Sequence, residues 1–193
     1  RAAGCPALGR AVARHFHICP TAIGAVGSVW SERGIAGIQI PARDEATSRE
    51  TLRRRFPDTE PGEPSAAIAA IEAIRSLLAG DRTDLAHLPL DMSEIPDFER
   101  GVYAIILGVP AGSTITYGEI ARRLGDPLLA RAVGTALGRN PIPIVVPCHR
   151  VLAAGGRSGG FSAPGGVVTK LQLLAIEDAA PEGQPDLFGG PRR

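Results

Sequence analysis

Cys148 and His149 stand side by side in "PIVVPCHRVL", residues 143 to 152, in a chain with only three cysteines and four histidines. A thiol attacks well only as thiolate, which needs a nearby proton acceptor or positive charge. Histidine is the side chain suited to take that proton near neutral pH. The pair therefore reads as a candidate nucleophile and base, whereas Cys5 and Cys19 read as small buried hydrophobes. The short, β-branched run "IPIVV" predicts a buried strand that delivers the cysteine. Adjacent side chains of a strand face opposite ways, so His149 would act through a bridging water or a kink made by Pro147. Beyond the pair, "AAGGRSGGFSAPGG" is a glycine-rich loop for the cysteine to face.

The elements around this pair carry clear punctuation. In "TITYGEIARRLGDPLLARAVGTALGRN", Thr116 and Glu119 form a T-x-x-E capping box and Gly125 sits at a C′ position. Asp126 can cap a second helix that opens on Pro127 and ends at Gly138. Two short helices with a tight turn fit a helix-turn-helix with Arg131 early in its second helix, or a plain αα-corner. Upstream, Phe98, Val102, Ile105, Ile106 and Val109 mark one face of a helix stopped by Pro110 and Gly112. Downstream, "VVTKLQLLAIE" predicts a last helix carrying Leu171, Leu174 and Ile176.

The first half reads as a smaller α/β unit. "TAIGAVGSVW" and "IAGIQI" predict two strands around a turn at Gly34. "DEATSRETLRRRF" predicts a polar helix. Ser65 can cap a second helix with Ile68, Ile71, Ile74 and Leu78 at helical spacing and Gly80 at its close. Residues 81–96 lack periodicity and read as a connection. The expected organisation is residues 1–93 with their linker, a domain at 94–178, and a Pro- and Gly-rich mobile tail at 179–193.

Composition narrows the class. The 193 residues are 44% hydrophobic and 21% charged, ordinary for a globular protein. No apolar run reaches the roughly 18–20 residues of a membrane span, and no secretory signal is visible. Three cysteines without framework spacing suggest a reduced, cytoplasmic setting. The net charge is +1, yet residues 112–170 hold seven Arg and Lys against Glu119 and Asp126 alone, a local +5. Residues 1–93 balance eleven arginines with eleven carboxylates. A basic field thus lies on the segment that bears the helix pair, which favours phosphate contacts.

"NPIPIVVPCHRV", preceded by "RAVGTALGR" and followed by "GGFSAPGG" and "TKLQLLAIE", resembles the active-site segment of the methylated-DNA–protein-cysteine S-methyltransferases, which repair 6-O-alkylguanine. The resemblance is strong over residues 98–177 and thinner over 17–93. It implies an α/β (α+β) fold: a small ribonuclease-H-like N-terminal domain and a mainly helical C-terminal domain with a winged-helix-like helix-turn-helix. It implies that Cys148 accepts the alkyl group once and irreversibly, that His149 deprotonates it through water, and that Glu177 holds the histidine. Asn140 would tie the helix-turn-helix to the cysteine segment. Tyr117 would donate a proton towards N3 of a flipped guanine, and the Ser162 N–H would meet the 6-oxygen. The carbonyls of Cys148 and Val151 would accept from the exocyclic amine, with Pro143 and Phe161 lining the pocket. Phe161 replaces a tyrosine found in many relatives, which leaves ring packing without a hydroxyl. Arg131 would enter the base stack from a helix docked in the minor groove, with Thr116, Ala130, Ala132 and Gly134 facing DNA. No cofactor or metal is implied, and the family suggests a monomer.

Two rivals remain at this point. A non-catalytic lesion-binding relative would share the helix pair and pocket but lack the cysteine. A Cys-His hydrolase would need no Arg131 helix and no DNA. Two weaker patterns are Cys5, His15, His17 and Cys19, whose spacing is not a standard zinc set, and "GQPDLFGG". There, Gln184 to Phe188 resembles the peptide by which bacterial repair proteins hold the replication sliding clamp.

Overall fold

The computed structural model describes residues 14–42, 44–62 and 65–179. Cys5 and the segment Gln184 to Phe188 lie outside them. Three strands, β1 (Arg14–Thr21), β2 (Gly24–Ser31) and β3 (Gly34–Gln39), form an antiparallel meander. The short β4 (Thr59–Pro61) joins it parallel to β1, giving the order β3-β2-β1-β4. The sequence pattern missed β1 and read Thr21 as a strand start, whereas β1 ends there. In "RHFHICPT" the buried residues are Phe16 and Cys19, three apart, so no alternation is visible. Only the pairing with β2, Phe16 opposite Val29 and Cys19 opposite Val26, makes it a strand. At Gly34 φ is +129°, and a Cβ there would fall 2.3 Å from the Pro89 carbonyl oxygen. That close approach lets Ile35 N–H bond Pro89 O at 2.9 Å and docks the connecting segment on the edge of β3.

Helices cover both faces of this sheet. In α1 (Glu45–Arg55) the Asp44 carboxylate accepts from Thr47 N–H at 2.7 Å, and Leu52 packs with Phe16 and Val29. On the other side lies α2 (Ser65–Leu78). Ser65 is its first helical residue rather than a preceding cap, and Ile68 is 52% exposed instead of buried. The true stripe runs Ala67, Ala70, Ile71, Ile74, Leu77 and Leu78, since Ile68 lies about 100° around the helix from Ala67. Gly80, at φ +102°, closes the helix as expected.

The second half is helical. α3 (Asp97–Leu107) buries Val102, Tyr103 and Ile106. The Tyr103 hydroxyl donates to Ala136 O at 2.9 Å, joining α3 to α5 (Ala130–Gly138). Between them, β5 (Ile115–Thr116) leads into α4 (Tyr117–Arg123). Thr116 Oγ1 accepts from Glu119 N–H at 3.2 Å, while the Glu119 carboxylate turns to Arg123 at 3.5 Å, so half of the capping box forms. Asp126 caps a 3-10 turn, Pro127–Leu129, which runs into α5. α6 (Val167–Ile176) buries Leu171 and Leu174 and leaves Ile176 half-buried. One apolar cluster runs from Cys19 and Trp30 on the sheet through α2 and α3 to Cys148. No described helix is long and apolar enough to cross a membrane.

Candidate active site

The expected strand at "IPIVV" does not form. Residues 142–146 are fully buried, as a core strand would be, but they make an irregular turn. Pro141 and Pro143 have no N–H to give to a ladder. Asn140 supplies the missing partners instead: its side-chain amide donates to Val146 O at 2.8 Å, and its carbonyl oxygen accepts from Ile142 N–H at 3.0 Å. Ile38 N–H of β3 bonds Pro141 O at 2.8 Å and anchors the turn to the sheet. Ile144 sits at φ +75°, a conformation that costs a β-branched residue on the order of 1–3 kcal/mol. The turn is therefore held by its surroundings and not by local preference.

This turn delivers Cys148, His149 and Arg150 as one 3-10 turn, all buried. β6 (Val151–Leu152) follows and pairs in parallel with β5, Ile115 opposite Val151 and Thr116 opposite Leu152. That two-residue ladder places the start of α4, and so Tyr117, beside the exit of the cysteine turn. Cys148 lines a cavity of about 610 Å³ together with Asn140, Pro143, Phe161 and Ser162. Typical small-molecule sites span about 300–1,000 Å³.

Beneath the cavity, His149 Nε2 lies 3.0 Å from Glu177 Oε1, just past the end of α6. A carboxylate only accepts, so Nε2 carries the proton and the neutral ring presents a lone pair at Nδ1. Burial lowers the His149 pKa, which keeps the ring neutral, and Nδ1 has no protein partner. Glu177 also accepts two bonds from Arg150, both at 2.8 Å. Although burial opposes its charge, the bonds from His149 and Arg150 bring its pKa down to about 2. Burial raises the Cys148 pKa, so the resting sulfur is a thiol; the Asn140 amide and the charge of Lys170 partly counter this.

Tyr117 is half-buried and lies outside the cavity lining, between Gly134 of α5 and Gly159 of the glycine-rich loop. Burial, and then the nearby sulfur, raise its pKa, so it is a protonated donor at neutral pH. Arg131 and Ala132 are exposed at the start of α5, while Thr116, Ala130 and Gly134 are half-buried. The Val151 carbonyl already accepts from Lys170 Nζ at 2.5 Å, and the Cys148 carbonyl from Val151 N–H. Each retains one lone pair for a ligand.

Sequence reasoning missed Lys170 and Arg150. Lys170 is fully buried, donates to the Val151 and Ser158 carbonyls, and lies 6.0 Å from the Tyr117 ring. Burial lowers its pKa to about 8. The available signal was its singularity, one lysine among 21 basic residues. Arg150 gave none, because its bond to Val109 O spans 41 residues of chain.

Residues 97–179 match the model of the 6-O-methylguanine DNA methyltransferase DNA-binding domain. A methylated-DNA–protein-cysteine methyltransferase of Methanothermobacter thermautotrophicus is 35% identical over 159 residues, 82% of either chain. The chain belongs to the methylated-DNA–protein-cysteine methyltransferase family. A Mycobacterium tuberculosis OGT solved in complex with DNA superimposes with a TM-score of 0.67 at 31% identity, covering 86% of this chain and 95% of that one. A DNA base-flipping protein of Thermus thermophilus is 40% identical over 132 residues, 66% of this chain and 87% of that relative. The α/β fold of the methyltransferase family is thus the fold of this chain, and its cysteine-bearing turn lies within the matched domain.

Proposed function

We propose that this chain repairs alkylated DNA by taking the alkyl group of a flipped 6-O-alkylguanine onto Cys148. The observation that carries the reading is a cysteine lining a nucleobase-sized cavity, with a neutral, unpartnered histidine nitrogen behind it. The thiol proton passes through water to Nδ1 of His149, which Glu177 orients. The sulfur then bonds to the alkyl carbon, the carbon–oxygen bond breaks, and the electron pair stays on the base. Tyr117 supplies a proton towards N3, and the Ser162 N–H meets the 6-oxygen, so the departing charge is neutralised as it forms. The free lone pairs of the Cys148 and Val151 carbonyls suit the exocyclic amine, with Pro143 and Phe161 against the alkyl group. A thioether does not hydrolyse, so each molecule acts once.

A paired guanine cannot present its 6-oxygen to a buried sulfur, hence the nucleotide must leave the stack, at a cost of a few kcal/mol. Arg131 is the residue to fill the gap, with Thr116, Ala130, Ala132 and Gly134 along the DNA-facing side of a helix pair docked in the minor groove. Residues 1–93 form a supporting domain and 94–178 the reactive one, acting as a monomer in a reducing cytoplasm. The segment Gln184 to Phe188 tethers the protein to the replication sliding clamp, and removal of residues 183–193 should abolish clamp pull-down.

Intact-protein mass after incubation with duplex DNA containing 6-O-methylguanine tests the central step. The protein should gain one methyl group, on the peptide bearing Cys148. Cys148→Ser should bind the duplex and gain nothing, and Arg131→Ala should slow the gain. Mass gain elsewhere, or none in the unaltered protein, refutes the reading.

A further inference from the structure

The cavity that Cys148 lines is not built by the second half of the chain alone. Gln39 and Ile40, at the end of β3, and Thr51 and Arg55 of α1 line it too. Gln39, Thr51 and Arg55 bring polar groups to a cavity that Pro143 and Phe161 also line. Arg55 is its one cation without a charged counterpart among the described residues: Arg139, which also lines the cavity, pairs with Glu99 at 3.6 Å. Arg55 Nη1 donates to the Gln39 side-chain oxygen at 2.8 Å and to Ile38 O at 3.4 Å. Its guanidinium lies 5.3 Å from the Phe56 ring centre. One nitrogen of a planar fork is thus held by neutral acceptors, and the remaining donors stay available for an anion.

We propose that Arg55, steadied by Gln39, forms a subsite for the far end of the alkyl group and favours groups that end in a carboxylate. The proposal rests on Cys148 being the alkyl acceptor. A methyl group would not reach Arg55; a chain of several carbons, attached at the sulfur side, would extend through the cavity towards it. There the carboxylate meets a pre-set guanidinium, a pairing stronger than one between neutral groups. The transfer is otherwise unchanged: sulfur bonds to the first carbon of the chain, the bond from that carbon to the 6-oxygen breaks, and the guanine keeps the electron pair and takes up a proton.

The test uses the full chain and three duplexes, bearing 6-O-methylguanine, 6-O-(3-carboxypropyl)guanine and the neutral 6-O-(3-carbamoylpropyl)guanine. Single-turnover mass gain is measured for each, with both long groups expressed relative to methyl. The unaltered protein should favour the acid over the amide by about tenfold more than Arg55→Met does, the effect of one charge-assisted bond. Arg55→Lys should recover part of the preference. An acid-to-amide ratio identical in the unaltered protein and Arg55→Met overturns the proposal. So does an equal loss on all three duplexes in Arg55→Met, which would mark a DNA phosphate contact instead. Absence of methyl gain in the unaltered protein would instead strike the function proposed above, so the two failures are distinguishable.

Discussion

His149 and Glu177 share a buried hydrogen bond of 3.0 Å that fixes which ring nitrogen holds the proton. The residues are 28 positions apart, and the bond leaves Nδ1 as the one buried side-chain polar atom without a partner among the described residues. Such an atom normally costs free energy. In the function proposed above it is the lone pair that receives the thiol proton; Arg150 clamps the carboxylate from its other side.

Acid stability follows from Glu177. Its pKa falls from the ordinary 4.5 to about 2 on folding, so its contribution is fully present above 4.5 and is lost as the pH drops through about 2. A shift of that size corresponds to on the order of 3 kcal/mol. Glu177→Gln removes the titrating group and leaves the Arg150 guanidinium without its ion pair. Urea midpoints should show a large deficit for the variant at pH 7 that shrinks towards about pH 2. A deficit constant across that range would contradict the assignment.

Asn140 is expected to matter twice. Asn140→Ala leaves the Ile142 N–H unsatisfied in the core, at about 1–3 kcal/mol, and leaves the Val146 carbonyl with the Cys148 N–H as its remaining donor. Asn140→Asp keeps an acceptor for Ile142 but places a negative charge beside the sulfur. The pH profile of Cys148 labelling by iodoacetamide should therefore move to higher pH in Asn140→Asp. An unmoved profile would show that Asn140 only shapes the turn.

Lys170→Met retains the length and apolar stem while removing the ammonium. The Val151 and Ser158 carbonyls then lose their shared donor, which should cost about 1–3 kcal/mol for each buried group left unpaired. Because Ser158 lies in the glycine-rich loop, protease cleavage within residues 153–166 should speed up. If melting temperature and cleavage both match the unaltered protein, Lys170 does not hold the loop.

Gly159→Ala strains two relationships at once. Gly159 has φ +66°, and a Cβ would come 3.1 Å from the Tyr117 ring and 3.2 Å from its hydroxyl oxygen. The substitution should cost about 1 kcal/mol or more in stability. It should also slow methyl transfer more than melting temperature alone would suggest, by displacing the tyrosine. Gly160→Ala, with nothing within 4 Å, is the control and should be mild on both counts.

The helices were legible in the sequence because their signals are local. Asp44, Thr116 and Asp126 each accept from a backbone N–H two or three residues on, and the apolar spacing of α3 needs no distant partner. The proposed nucleophile and base stood out too, through an adjacent Cys-His pair joined to a family resemblance. β1 was not, since its buried residues follow no alternation until β2 lies beside it.

Local sequence thus fixes the caps that start and stop the helices, and it puts forward Cys148 with His149 as the candidate nucleophile and base. The tertiary structure alone decided how the cysteine is presented. Residues 142–146 have the composition of a strand, but two prolines withhold ladder donors, and Asn140 and β3 bend them into a turn. It likewise decided that Lys170 and Arg150 lie beneath the site, and that Arg55 of α1 lines one cavity with Cys148. Such contacts join residues tens of positions apart, and no local pattern records where a distant charge or carbonyl will come to rest.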